Sequence, residues 1–134
     1  MDKLLTIFNS MIAVLATILT YIFGDWDIAV IVLCVFMILD YITGMIYAYI
    51  TKNISSQLGM KGLMKKFLIV FILIAAVWLE RLMNNDTWMF RTLVCYFYIA
   101  NEGISILENA SKLGLPIPKK LQDKLMQLKE LENR

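Results

Sequence analysis

Histidine is absent from the 134 residues, and cysteine and proline occur twice each. Without an imidazole the chain lacks the commonest metal ligand and general base. The two thiols, Cys34 and Cys95, lie in separate apolar runs, which makes neither a zinc site nor a catalytic dyad; they read as small buried hydrophobes. No GxSxG, phosphate-binding loop or HExxH pattern occurs, so soluble-enzyme chemistry has nothing to stand on and no cofactor is expected. Charge is scarce as well. Charged residues make up 18% of the chain, against about a quarter in soluble domains. A formal net charge of +2 is too small to argue for a nucleic-acid partner.

Apolar residues are what the chain has, at 60%, well above the roughly 45–50% of soluble domains. One domain of this length cannot hide that much apolar surface from water, so its solvent is lipid. A helical span needs about 20 mostly apolar residues. Four runs qualify, at about 4–23, 28–50, 63–83 and 88–108, the last being the least apolar. No small-residue cleavage site follows the first run, which is therefore read as a retained span rather than a signal peptide. Backbone groups in hydrocarbon must be satisfied within the segment, so these runs are helices. The expected fold is an all-α integral membrane protein. Residues 1–115 form a four-helix transmembrane domain, and residues 116–134 a short amphipathic cytoplasmic tail. The "GDWD" turn, residues 24–27, makes a tight hairpin of the first two spans.

Orientation follows from the lysines. Lys52, Lys61, Lys65 and Lys66 flank or occupy the loop after the second span, with no acid among them, and Lys112, Lys119, Lys120, Lys124, Lys129 and Arg134 follow the fourth. The opposite turns carry Asp25, Asp27, Glu80, Arg81, Asp86 and Arg91. Both termini are therefore expected in the cytoplasm. Trp26, Trp78 and Trp88 then gather at the outer interface, where amphipathic rings settle.

Polar residues inside spans are costly, so their placement is informative. Arg91, Cys95, Tyr98, Glu102, Ser105 and Asn109 recur at intervals of three and four, one face of a helix. The second span carries a shorter stripe of Asp40, Gly44, Tyr47 and Thr51, and the first a milder one of Asn9, Ala13, Ala16 and Thr20. Asp40 and Glu102 lie about 18 and 21 Å from the outer ends of their helices, at similar depth and slightly inward of the midplane. Arg91 is about 16 Å from Glu102 along the axis, too far to pair with it. Lys65 and Lys66 snorkel to the interface, and no cation is expected near either acid. Two readings compete: packing faces with polar side chains as glue, or surfaces that face water in an oligomer. An acid is a costly packing residue, which favours the second for Asp40 and Glu102.

"NEGISILENASKLGLPIPKKL", residues 101–121, resembles the C-terminal signature of the toxin-secretion/phage-lysis holins of Gram-positive phages and prophages. Asn101, Glu102, Ser105, Ile106, Leu107 and Asn109 meet its first half; Gly114, Leu115, Pro116, Pro118, Lys119, Lys120 and Leu121 meet its second. Asp40 and Gly44 resemble the family's D-x-x-x-G span, and Ser56, Gly59 and Gly62 the loop that follows. The resemblance covers roughly residues 28–128. It implies a protein that accumulates in the cytoplasmic membrane, associates with copies of itself, and opens lesions through which an endolysin, or in some relatives a large toxin, passes.

The pore- or oligomer-facing residues are accordingly expected to be Asp40, Gly44, Arg91, Tyr98, Asn101, Glu102, Ser105 and Asn109. Gly114 ends the fourth helix as a left-handed cap, Pro116 blocks its continuation and Pro118 suits the first turn of another. Lys119 and Lys120 anchor this hinge to the anionic inner leaflet. In the helix that follows, Leu121, Leu125, Leu128 and Glu132 form a narrow stripe suited to the membrane surface or to self-association. The rival from another class is a four-helix proton-coupled exporter of cationic compounds, which gives saturable transport in living cells. A passive scaffold docking a cytoplasmic partner through 119–132 gives neither transport nor leakage.

Overall fold

The computed structural model describes residues 1–130, without the side chains of 128 and 129; Leu128 and Glu132 of the tail stripe thus lie outside the described residues. Five helices follow one another: α1 (Asp2–Phe23), α2 (Ile28–Ile50), α3 (Ser56–Leu82), α4 (Met89–Lys112) and α5 (Lys119–Glu130), with no strand among the described residues.

Local chemistry sets each boundary. Asp27 caps α2 by accepting from the Val30 amide at 3.1 Å, and Ser55 caps α3 by accepting from Leu58 at 3.1 Å. The second cap starts α3 at residue 56, seven residues before the apolar run expected to span at 63. Trp88, before α4, is left-handed at φ 52° and offers no side-chain cap. Glu80 of α3 supplies it instead, accepting from the Phe90 amide at 2.7 Å and from Arg91 at 3.3 Å. At the other end of α4, Gly114 turns left-handed at φ 86°. Its amide donates to Ser111 and that of Leu115 to Ala110, at 2.9 and 3.2 Å, the paired bonds of a Schellman ending.

The small core lies where α2, α3 and α4 meet, built on Val30 and Leu33, Ile69 and Leu73, and Cys95 and Ile99. Cys34, by contrast, is exposed on α2. The hairpin expected from the first two spans does not close on itself. The turn opens at Gly24, φ 75°, and α1 rests mainly on α3, with no buried residue of its own. Tyr21 meets Trp78 edge to face at 5.4 Å, and Arg81 stacks on both rings at 4.9 and 4.8 Å.

Among the described residues three helices, α1, α2 and α3, are long and apolar enough to cross a membrane; α4 is not. The reason is its surroundings. It is enclosed by α2, α3 and α5, and its buried residues include Arg91 and Glu102. A helix that faces protein on several sides has no need of a lipid-compatible composition.

Candidate functional site

A cavity of about 1150 Å³ opens between α2, α3 and α4. Asp40 and Gly44 line it from α2, and Tyr98, Asn101, Glu102, Ser105 and Asn109 from α4. The two stripes therefore meet, because α2 and α4 run side by side and each turns its three-four face toward the other.

The charge arrangement differs from expectation at one decisive point. Lys66 does not snorkel. Its ammonium lies between Asp40 and Glu102 and donates to both carboxylates, with only 14% of its side chain exposed. A largely buried acid pair recruits the nearest cation, since an uncompensated charge there costs several kcal/mol. Asn109 adds a donor, its Nδ2 lying 3.2 Å from Asp40 Oδ1 and 3.0 Å from Thr43 Oγ1. Gly44 faces this amide, where an added Cβ would meet Nδ2 at 3.7 Å, an ordinary contact. With all three groups ionised the cluster carries one negative charge.

Arg91 is elsewhere. Only 1% exposed, it sits near the start of α4 and holds the turn between α1 and α2. Nε donates to the Phe23 carbonyl at 2.9 Å, Nη1 to Asp27 Oδ2 at 2.7 Å, and Nη2 to the Asp25 carbonyl. For Asp27, burial alone would raise the carboxyl, but the Val30 amide and the Arg91 guanidinium outweigh it and hold the group below its ordinary 3.8. Arg91 shares the stripe's register but serves as a clasp.

The tail also takes a position within the chain. α5 folds back on α4, and Leu125 is buried where Gly103 leaves a notch; a Cβ on Gly103 would come within 2.9 Å of Leu125 Cδ2 and 3.1 Å of Phe36 Cε2. The contact expected between copies is made here to the chain's own α4. Leu121, Lys119 and Lys120 remain exposed, as do Gly114, Pro116 and Pro118 of the hinge.

Two residues of this architecture, Lys66 and Glu80, were not among the expected site residues. A signal for both exists. Lys66, Ile69, Leu73, Val77 and Glu80 follow the three-four spacing of one helix face, and the last four are buried. The inward face of α3 thus begins and ends with a charge.

Long apolar helices around a charged interior define a small helical integral membrane protein. Residues 17–130 match the bacteriophage holin family, and the chain belongs to it. This is a family of membrane lysis proteins rather than enzymes. The chain is 52% identical to an uncharacterized 14.9 kDa protein from the region 3′ of nagH in Clostridium perfringens, over 96% of this chain and 97% of that one. It is 37% identical to a probable holin of Bacillus phage phi105, over 78% and 76% of the respective chains. A protein of Halalkalibacterium halodurans is 39% identical over 91% and 93%. No solved structure matches the chain.

Proposed function

We propose that the chain is a holin that spans the bacterial cytoplasmic membrane four times with both termini inside, accumulates there, and assembles into lesions that let an endolysin, or a toxin, leave the cytoplasm. The observation that carries the reading is the cavity, which collects seven of the eight residues expected to face a pore, all but Arg91, around a cluster with two acids and one cation.

In the single chain Lys66 and Asn109 compensate Asp40 and Glu102 in part. As copies crowd the membrane, contacts between chains replace those that close the cavity, and the polar faces of α2 and α4 turn toward shared water. The cluster's unmatched charge makes water the better solvent for it. Each charge moved across the membrane carries about 2.3 kcal/mol per 100 mV, so a falling potential shifts the assembly. Release of α5 from the Gly103 notch frees its leucine stripe for a neighbouring copy, while Lys119 and Lys120 stay with the anionic headgroups.

The test is inducible expression in a bacterium, with and without an endolysin lacking its own export signal. The expected outcome is abrupt release of a cytosolic reporter protein, and lysis only with the endolysin. Asp40→Asn and Glu102→Gln are expected to shift the onset; unchanged onset and leakage in both would remove the pore-facing assignment. Saturable transport of cations in viable cells would replace the reading with the exporter.

A further inference from the structure

The cavity has a second chemistry at its cytoplasmic end. Lys66 is occupied by Asp40 and Glu102, whereas Lys52 and Lys65, which also line the cavity, are exposed and have no ion pair among the described residues. Three ammonium groups therefore stand against two carboxylates, and the surplus positive charge lies at the mouth, beside Asn53 and Ser55 of the α2–α3 loop. The opposite end is apolar, walled by Leu68, Ile69 and Ile72 of α3. Between them Tyr41 lies over Gly59 and Gly62, where an added Cβ would meet its hydroxyl oxygen at 3.5 Å and its ring carbon Cε2 at 3.6 Å. The missing side chains leave that wall smooth.

We propose that this groove seats one anionic glycerophospholipid of the inner leaflet. Its phosphate lies between Lys52 and Lys65, and an acyl chain runs over Leu68 and Ile72. Basic pockets between membrane helices on the cytoplasmic side suit such headgroups. The apolar half needs a chain, which a free phosphate lacks. Lys52 is held at the mouth by its left-handed backbone, φ 57°, just beyond the end of α2. A seated lipid fills the cavity that assembly must hydrate, so it favours the separate chain. The inference rests on the membrane orientation proposed above and not on perforation.

The experiment is native mass spectrometry of the detergent-purified full chain, titrated with phosphatidylglycerol, with phosphatidylcholine of the same acyl chains, and with glycerol 3-phosphate. Each lysine near anionic headgroups contributes a factor of about five, so Lys52→Gln with Lys65→Gln is expected to weaken phosphatidylglycerol retention about 30-fold. Phosphatidylcholine binding should be weak in both proteins and equal. Ile72→Trp, which fills the chain slot and leaves the lysines intact, should also expel the lipid. Equal affinity of the wild-type chain for the two lipids would overturn the proposal, and this outcome depends on no variant folding. So would unchanged retention in either variant, or glycerol 3-phosphate binding as tightly as the lipid. Retention is measured without leakage, so a chain that holds phosphatidylglycerol yet perforates nothing would remove only the holin mechanism.

Discussion

The two ends of the molecule handle buried charge in opposite ways. Beside the α1–α2 turn one guanidinium meets one carboxylate and two backbone carbonyls, while the buried Glu80 takes two amides of α4. Arg91 and Glu80 each find partners on a different helix or turn, and the planar fork of Arg91 suits several acceptors at once. At the cavity one ammonium serves two carboxylates, and the remaining partner is a neutral amide. At the Arg91 end each of these charged groups has hydrogen-bond partners of its own, whereas at the cavity two carboxylates share one ammonium. Charged groups with partners of their own fix a structure, whereas two acids sharing one cation have a reason to rearrange when water or another chain comes within reach.

The contrast is broken most directly at Lys66. Lys66→Met leaves two facing carboxylates without a cation, and loss of one partner from such a cluster costs about 4 kcal/mol. The expected outcome is a lowered midpoint in detergent-denaturant titration and, at equal membrane abundance, earlier leakage. Adding Asp40→Asn and Glu102→Gln to Lys66→Met should recover most of the midpoint, because the triple variant buries no charge. Failure of the triple variant to recover would show that Lys66 acts through packing rather than charge.

Lys66 also shows how far the sequence was legible. Helix positions follow from apolar runs and from caps such as Asp27 and Ser55, which are local signals. The α4 stripe was legible because three-four spacing needs only one helix to be seen. Its partner was not, because which lysine turns inward depends on how α2, α3 and α4 pack, and snorkelling was the default for a lysine near a helix end. Arg91 misled for the same reason. Shared register placed it on the Glu102 face, but its depth put it beside the turn between α1 and α2, whose carbonyls needed donors. The burial of Leu125 against Gly103 was invisible for another reason, since a narrow leucine stripe carries no mark of whether it packs on its own chain or on a copy.

The Arg91 clasp sharpens the comparison from the other side. Arg91→Leu leaves the Phe23 and Asp25 carbonyls without their donor, and orphaned buried acceptors make the expected loss about 3 kcal/mol. The same titration measures it. Because the groups at this end have partners of their own, the variant should reduce the amount of folded protein without changing leakage per folded copy. A change of onset at equal abundance would mean that the clasp takes part in triggering.

The smallest expected effect isolates one partner of that clasp. Asp27 is held below its ordinary value in the folded chain, so below about pH 4 the unfolded chain takes up the proton first. Its contribution to stability is therefore present above its ordinary 3.8 and is lost as pH falls through the lower folded value. The carboxylate is 43% exposed, and pairs so open to solvent contribute about 1 kcal/mol or less. Comparing wild type with Asp27→Asn from pH 7 to pH 3 should show the wild-type advantage shrinking only below about pH 4. A constant gap would mean that the side chain matters only as the cap of α2, accepting from the Val30 amide, a role a neutral asparagine oxygen also fills. A gap that closes assigns the difference to the guanidinium, and so separates the charge at this end from the hydrogen bonds that surround it.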